Sequence, residues 1–103
     1  MTATVHVDLP GREYDIHIGP GLLDQVGPFV AAFGGRKHVC ILTDETVASL
    51  HLAQLQTGLK AAGLTSEALL LPAGEATKCW AQLEVSVEWL LAQKVERGDV
   101  VIA

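Results

Sequence analysis

Residues 37–44 read Lys37-His38-Val39-Cys40-Ile41-Leu42-Thr43-Asp44, a continuous apolar run between polar neighbours. A strand whose middle holds no polar residue is covered on both faces, which is typical of a parallel sheet with helices on either side. The rest of the chain fits this plan, because apolar stripes with helical spacing alternate with short apolar runs. The stretch therefore predicts the central strand of an α/β sheet.

Two further strands and two helices are predicted downstream. The first helix has one apolar stripe, formed by Leu52, Leu55, Leu59 and Ala62. Gly63 is placed to end this helix. The next strand is predicted over Ala68-Leu69-Leu70-Leu71 and the last over Val100-Val101-Ile102-Ala103. A second helix is predicted between these strands, and its apolar stripe is Trp80, Leu83, Val87, Leu90 or Leu91, and Val95. Glu84 and Glu88 are expected to face outward. Trp80 and Trp89 are expected to pack.

The residues before the central strand predict a hairpin and a helix. Apolar and polar residues alternate through residues 5–18 on both sides of Pro10-Gly11-Arg12, which predicts a half-buried β-hairpin. Helical spacing follows over residues 22–33, with a kink or a restart expected at Gly27-Pro28 and an end at Gly34-Gly35. The predicted fold class is α/β, an N-terminal β-hairpin followed by βαβαβ units of a parallel, Rossmann-like sheet, truncated before the domain is complete.

Size and composition limit the classes of function. At 103 residues the chain is one domain or part of one, and it is short for a complete cofactor enzyme. A net charge of −5 without a basic cluster argues against a nucleic-acid partner. No apolar stretch approaches the roughly 20 residues of a membrane helix, and the first residues lack a secretory pattern, so a cytoplasmic protein is predicted. Cys40 and Cys79 are expected to be reduced thiols.

Candidate binding residues follow the predicted strands. Ligands of parallel sheets bind beyond the carboxyl ends of the strands, here Thr43-Asp44, the loop after Leu71, and Ala103. Asp44 is placed where a dinucleotide-binding fold uses a carboxylate to accept hydrogen bonds from a ribose diol. An aspartate at this point also caps the helix that follows, and the sequence leaves both roles open.

The second strand end is a turn with a carboxylate and an ammonium, and it reads Leu71-Pro72-Ala73-Gly74-Glu75-Ala76-Thr77-Lys78-Cys79-Trp80. Pro72 ends the strand, Gly74 permits a positive φ, and Thr77 is expected to cap the next helix. Glu75 can accept from ribose hydroxyls, and Lys78 can meet an anion at the helix start. The alternative is a strand-to-helix turn with a solvated ion pair.

Several other signals are absent. There is no GxGxxG fingerprint and no Walker motif, so a pyrophosphate cradle would lie beyond Ala103. The four histidines lack the spacing of a metal site and are expected to be surface or structural residues: His6, His17, His38 and His51. Cys79 has no histidine or second cysteine near it in sequence, which disfavours a nucleophilic role.

Three segments resemble, in order and spacing, the N-terminal part of the 3-dehydroquinate synthase family: Tyr14-Asp15-Ile16-His17-Ile18-Gly19, Leu42-Thr43-Asp44-Glu45-Thr46-Val47-Ala48 and Leu71-Pro72-Ala73-Gly74-Glu75-Ala76-Thr77-Lys78. The resemblance continues through Trp89-Leu90-Leu91 and residues 97–103. It implies that residues 1–103 are part of an N-terminal NAD-binding domain. A C-terminal domain that holds a divalent metal, zinc or cobalt, would lie outside this sequence.

The resemblance also implies a reaction and a binding site. The family is a group of lyases that convert the sugar phosphate DAHP to 3-dehydroquinate and phosphate in the shikimate pathway, with transient oxidation by NAD. The resemblance assigns the adenosine side of NAD to eight residues: Asp44, Thr46, Ala73, Gly74, Glu75, Ala76, Thr77 and Lys78. Thr46 departs from the family's asparagine. No catalytic residue or metal ligand is implied within the chain, so the chain alone is expected to be inactive. It is expected to bind nucleotide weakly, because half of the cradle is missing, and to form homo-oligomers, because a sheet face or edge would be exposed.

Rival interpretations share the fold. Other sugar phosphate cyclases, such as 2-deoxy-scyllo-inosose and valiolone synthases, have the same architecture and cofactor. Polyol dehydrogenases share the architecture too, although the loop over residues 72–78 favours the synthases. A noncatalytic assembly module of the same fold is the alternative from a different class.

Overall fold

The computed structural model describes residues 3–33, 37–74, 78–96 and 98–103. The chain opens with β1 (Ala3–Val7), β2 (Tyr14–Ile18), a 3₁₀ turn (Leu22–Gln25) and α1 (Val26–Ala31). It continues with β3 (His38–Asp44), α2 (Glu45–Val47), a π-helical turn (Ala48–Leu52) and α3 (Ala53–Ala61). The remaining elements are β4 (Thr65–Leu71), α4 (Trp80–Ala92) and β5 (Val101–Ile102).

β3 is the central strand of a three-stranded parallel sheet with the order β4-β3-β5. In the register, Asp44 lies opposite Leu71 of β4 and Ile41 lies opposite Ile102 of β5. The strand order confirms the predicted parallel α/β sheet, and β5 is shorter than the apolar run that predicted it. β1 and β2 form a separate antiparallel hairpin, as predicted.

The sheet is covered on both faces. Val39, Cys40 and Ile41 are each at most 2% exposed, although consecutive side chains in a strand point to opposite faces. Val39 and Ile41 belong to the core beneath α1 and α3. His38 points to the other face, where its Nε2 lies 3.3 Å from Oε1 of Gln93, just beyond the end of α4. The prediction that β3 is covered on both sides is confirmed.

His38 is a structural histidine that ties the start of the sheet together. Its Nδ1 lies 2.8 Å from the hydroxyl oxygen of Thr65, and that hydroxyl also lies 3.1 Å from the Lys37 carbonyl oxygen. This ring therefore links the first residues of β3 and β4 with the end of α4.

The main core lies between the sheet and the helices α1 and α3. Six buried residues form it: Val30, Val39, Ile41, Leu55, Leu59 and Leu64. α1 approaches α3 so closely at Gly27 that a side chain there would collide with the backbone carbonyl of Gly58. The lack of a side chain at Gly27 therefore permits this packing. The predicted restart near Gly27-Pro28 occurs at Val26, where the 3₁₀ turn passes into α1, and Pro28 lies in the first turn of that helix, where a proline is tolerated.

The ends of α3 and α4 use the same hydrogen-bond pattern with different residues. After α3, Gly63 has a φ of 82°, and the N–H of Leu64 donates to the carbonyl of Leu59 at 3.0 Å. After α4, Lys94 takes the equivalent position with a φ of 59°, and the N–H of Val95 donates to Leu90 at 3.3 Å. Gly63 ends α3 as predicted, and it adopts the left-handed backbone without steric strain. Lys94 adopts the same backbone with a side chain, which is sterically unfavourable.

α4 is a helix as predicted, but its inward face is different. The residues turned toward the sheet are buried or half-buried: Gln82, Ser86, Trp89, Leu90 and Gln93. Trp80 is 83% exposed and Leu91 is 70% exposed, and Leu83 and Val87 also lie outward. The prediction that Trp80 packs is therefore wrong, whereas Trp89 does pack. Apolar residues occupy nearly all sides of this helix, so their spacing does not reveal which side meets the sheet.

The hairpin is formed but is not half-buried. Every residue of β2 is exposed, and in β1 Val7 alone reaches intermediate burial. The predicted burial is wrong because the sheet and the helices cover neither face of the hairpin fully. Of the two cysteines, Cys40 is buried and Cys79 is exposed, and neither forms a disulfide. In the described ranges, no helix has the length and apolar character that crossing a membrane requires.

Truncating the centre of the core should destabilise the chain. Leu59 is fully buried between α3 and the sheet, so Leu59→Ala should lower the free energy of unfolding by about 2–5 kcal/mol through lost burial and a cavity. Urea unfolding followed by far-UV circular dichroism measures the change. Leu50→Ala removes the same atoms from an exposed position and should cost less than about 0.5 kcal/mol. Equal losses in the two variants would contradict the assigned core.

The helix end after α4 predicts a stabilising substitution. Lys94→Gly should be more stable than Lys94→Ala by about 1 kcal/mol, because both variants remove the charge but only glycine adopts the left-handed backbone without strain. Gly63→Ala should show the opposite sign and a similar size. Thermal or urea unfolding of the three variants tests this, and equal stability of the two Lys94 variants would contradict it.

Candidate functional site

The carboxyl edge of the sheet is the place where this topology can hold a ligand. The chain passes from β3 to β4 on one side and then crosses to β5 on the other side of β3. In open α/β sheets, ligands bind outside the carboxyl ends of the strands, at the point where the strand order reverses. Here the reversal lies between β3 and β5. The three strand ends named from the sequence therefore lie along one edge.

Asp44 ends β3 and caps the helical segment that follows. Its Oδ1 accepts a hydrogen bond of 2.7 Å from the backbone N–H of Val47, and its extended backbone (φ −91°, ψ 167°) is typical of a cap residue. The capping role is therefore real. Oδ2 has no hydrogen-bond partner among the described residues, so the same side chain retains an acceptor at the sheet edge.

Thr46 lies two residues further along, in the first turn of the helix. Its side chain is exposed, and its carbonyl oxygen accepts a 2.7 Å hydrogen bond from the hydroxyl of Ser49. The structure places Thr46 beside the carboxyl edge with no described side-chain partner. Its assignment to the adenosine side of NAD stays a prediction.

The loop after β4 begins next to Asp44, because Leu71 and Asp44 are opposite each other in the register. Ala73 and Gly74 are exposed, and Gly74 has a φ of 97° with open space around the position of a Cβ. Glycine is thus required there by the backbone and not by a close neighbour. Glu75, Ala76 and Thr77 lie outside the described residues.

Lys78 lies at the start of α4, in an open depression of about 540 Å³. Leu71 and several residues of α4 line the same depression, including Trp80 and Ser86. Opposed residues of a parallel pair point to the same face, so Asp44 points to the side of the sheet on which this depression lies. The structure thus brings Asp44, the start of the β4 loop and Lys78 to one edge and one face.

The structure describes the start of α4 from Lys78 onward. α4 begins at Trp80, and its cap position is Cys79, with an extended backbone and no side-chain hydrogen bond to the helix. Thr77, the predicted cap residue, lies outside the described residues. The first N–H groups of this 13-residue helix receive no side-chain hydrogen bond from Cys79, and Lys78 lies just before that cap position.

An apolar cleft of about 340 Å³ opens at the same edge on the opposite face. Thr43 of β3 and Ile102 and Ala103 of β5 form one wall, and the π-helical turn contributes Ala48 and His51. The hydroxyl of Thr43 and the ring of His51 are polar groups in an otherwise mostly apolar lining. The cleft therefore lies at the reversal of the strand order.

The sequence pattern did not indicate this apolar cleft. His51 was expected to be an ordinary surface or structural residue, and it is exposed at the mouth of the cleft. The π-helical turn that positions it has no sequence signature, since Ala48–Leu52 continues the helical pattern of α2 and α3. Turns of this kind often occur at functional sites.

The strand order and the edge define a doubly wound, Rossmann-like α/β protein with its ligand edge at the ends of β3, β4 and β5. No family model matches the chain. Individual relatives do match, and they are 3-dehydroquinate synthases. The chain is 59% identical over 97% of its length to the enzyme of Paracoccus denitrificans (strain Pd 1222). It is 57% identical over its whole length to that of Ruegeria pomeroyi and 50% identical to that of Jannaschia sp. (strain CCS1).

These matches confirm the resemblance to the N-terminal part of 3-dehydroquinate synthase that the sequence motifs predict. The chain spans about 28% of the length of the relatives it matches. It corresponds, therefore, to the N-terminal portion of those enzymes, and its α/β fold is the fold expected for that portion.

The cap formed by Asp44 can be tested separately from any ligand. Asp44→Ala should lower the free energy of unfolding by about 1 kcal/mol, because the N–H of Val47 loses its acceptor. Asp44→Asn should retain most of that stability, since asparagine caps equally well. Glu45→Gln is the control, because it removes a neighbouring charge without touching the cap. Chemical unfolding measures all three, and a large loss in Asp44→Asn would contradict a mainly capping role for stability.

Proposed function

We propose that this chain forms the adenosine-binding side of the NAD site of a 3-dehydroquinate synthase. The observation that carries the proposal is the position of Asp44, whose Oδ2 stays without a described partner at the carboxyl edge next to the β4 loop. The match to named synthases over the whole chain supports the same site. The other sugar phosphate cyclases remain the alternative, because residues that contact the substrate are not assigned in this chain.

Asp44 would serve two partners at once. Oδ1 holds the helix through Val47, which fixes the orientation of the carboxylate before any ligand arrives. Oδ2 would then accept from the hydroxyls of the adenosine ribose, as carboxylates after a strand do in dinucleotide-binding folds. A side chain already ordered by its capping bond loses little further entropy when it binds. Thr46 lies close enough in sequence to border the same ribose.

Lys78 and the start of α4 would face the anionic part of the nucleotide. The N–H groups in the first turn of α4 carry the positive end of the helix dipole, and Lys78 lies two residues before Trp80, the first residue of the helix. The loop residues Ala73 and Gly74 would pass over the adenosine, with Gly74 supplying the turn. Glu75, Ala76 and Thr77 belong to this proposed site by resemblance.

The cofactor supplies the redox step of the proposed reaction: NAD accepts a hydride from the substrate and later returns it. The residues of this chain would bind and orient its adenosine end. The described ranges contain no group of three or more potential metal ligands. We propose that the divalent metal of the reaction is held by residues outside this chain.

Because this chain would bind only the adenosine end of the cofactor, we predict that the chain alone has no synthase activity. Phosphate release from DAHP by the purified chain, with NAD and zinc or cobalt added, should not exceed the rate without protein. The physical reason is that the proposed site holds only one end of the cofactor and no assigned substrate contact. Phosphate release that depends on the chain and on NAD would contradict the proposal.

Nucleotide binding by the chain should be weak and confined to the adenosine half. NMR titrations with AMP and with nicotinamide mononucleotide should perturb amides near Asp44 and Lys78 with AMP only, at concentrations well above micromolar. Asp44→Asn, which keeps the cap, should weaken AMP binding about tenfold by removing the ionised acceptor. Calorimetry that gave micromolar binding of NAD would contradict the weak affinity.

A matched pair of lysine variants tests the role of Lys78. Lys78→Gln should reduce AMP affinity several-fold and leave adenosine affinity nearly unchanged, because only AMP has a phosphate. Lys60→Gln removes the same charge from an exposed position near the end of α3 and should leave both affinities unchanged. Equal effects of the two substitutions would place the phosphate elsewhere.

A further inference from the structure

Trp80 is the most exposed large apolar side chain in the part of the chain that the structure describes, with 83% of its surface accessible. It is the first residue of α4, yet no ring contact or hydrogen bond involves its indole among the described residues. Trp89, in contrast, is half-buried on the side of α4 turned toward the sheet. The indole of Trp80 therefore adds little to the core and lies open at the carboxyl edge.

The depression of about 540 Å³ beside Lys78 joins this indole to apolar and polar groups. Leu71, the last residue of β4, and Leu83 of α4 supply apolar lining. Gln82 and Ser86, one turn apart on the inward side of α4, supply neutral polar groups. Small-molecule sites combine a mostly apolar concave surface with a few polar groups, and they have volumes of roughly 300–1,000 Å³. The depression has both properties.

The two neutral polar side chains differ in their remaining capacity for hydrogen bonds. The hydroxyl of Ser86 donates to the backbone carbonyl of Gln82 at 2.9 Å, so its proton is already used inside the helix. The side-chain amide of Gln82 has no hydrogen-bond partner among the described residues, although the residue is partly buried. An amide has an acceptor oxygen and two donor protons. The inner side of the depression thus carries an unused donor and an unused acceptor.

The charges of the lining suit a neutral planar ring with an anion beside it. Lys78 is the one charged residue among the described residues that line the depression. This set contains no carboxylate, although the whole chain has a net charge of −5. A purine nucleotide has the complementary distribution, because its base is neutral and its phosphate is negative.

We propose that the depression is the adenine subsite of the nucleotide site, with the base stacked on Trp80 and its edge hydrogen-bonded to the Gln82 amide. The inference rests on the proposed function, in which Asp44 binds the ribose and Lys78 faces the phosphate. Neither Trp80 nor Gln82 is among the residues that the family resemblance assigns to NAD.

Both contacts match the chemistry of adenine. A base stacks on an aromatic side chain through its π face, and indole offers a large surface for this contact. A primary amide pairs with adenine because it accepts from the N6 amino group and donates to a ring nitrogen. Since Trp80 is exposed in the free chain, stacking would also remove apolar ring surface from water.

Fluorescence of the two tryptophans tests where the base lies, at ligand concentrations that saturate the amide shifts. Trp89→Phe leaves Trp80 as the one tryptophan of the chain, and AMP should quench its emission while ribose 5-phosphate should not. In Trp80→Phe the remaining indole faces the sheet, so AMP should change its emission little. Equal quenching of both variants by AMP would contradict the proposal, and so would Trp80 emission that AMP leaves unchanged.

Affinities from NMR titrations test the energetic role of each side chain. Trp80→Ala should weaken AMP binding at least about fivefold and leave ribose 5-phosphate binding within about twofold, because only AMP carries the base. Trp80→Phe should retain most of the AMP affinity, since it keeps an aromatic ring. Gln82→Leu should weaken AMP binding about threefold through the lost hydrogen bonds. Phe33→Ala removes an aromatic ring that is 66% exposed just beyond α1, and as the control it should change neither affinity.

The outcomes separate this inference from the proposed function on which it rests. If the parent chain binds neither ligand, or if Asp44→Asn leaves both affinities unchanged, the proposed ribose site is wrong and the adenine subsite fails with it. If Asp44→Asn weakens both ligands and Trp80→Ala binds AMP as tightly as the parent chain, the adenine subsite alone is overturned.

Two further results would count against the adenine subsite. Equal losses of AMP and ribose 5-phosphate affinity in Trp80→Ala would overturn it, because the indole would then not act on the base. An unchanged AMP affinity in Gln82→Leu would overturn the contact assigned to the edge of the base. Far-UV circular dichroism confirms that each variant is folded, which is expected for Trp80→Ala because the side chain is exposed.

Discussion

The burial of β3 between two helical layers is the constraint on which the rest of this structure depends. Val39 and Ile41 pack beneath α1 and α3, while Cys40 is buried on the side of α4. Because both faces are covered, the strands beside β3 run parallel to it and are reached by helical crossovers. The reversal of strand order at β3, and with it the position of the ligand edge, follows from that arrangement.

The same constraint explains why the capping role and the proposed binding role meet at Asp44. A helix that starts directly after a buried strand needs an acceptor for its first N–H groups, and Asp44 provides one through Oδ1. The second oxygen, Oδ2, has no hydrogen-bond partner among the described residues. The cap uses only one oxygen, so the two roles left open by the sequence, capping and the proposed ribose binding, are compatible.

The exposed apolar surfaces of the molecule are of two kinds. On α4, apolar residues surround the helix, and the sheet covers one side of it. On the hairpin, the polar side faces the body through His17 and Phe29, and the apolar side faces outward. On α4, the sheet therefore covers only part of the apolar surface of the helix. The second is an apolar face that the described residues leave uncovered.

The amino-acid sequence by itself determined the elements, the parallel sheet, the Gly63 helix end and the family resemblance, because alternation, helical spacing and glycine backbone freedom are local properties. It also indicated the strand ends that carry Asp44 and Lys78. Only the tertiary structure decided which sides of α4 and the hairpin face inward, that Cys79 is at the cap position of α4, and that His51 borders a cleft. Those outcomes depend on contacts between residues distant in sequence, such as His38 with Gln93, and no local pattern encodes them.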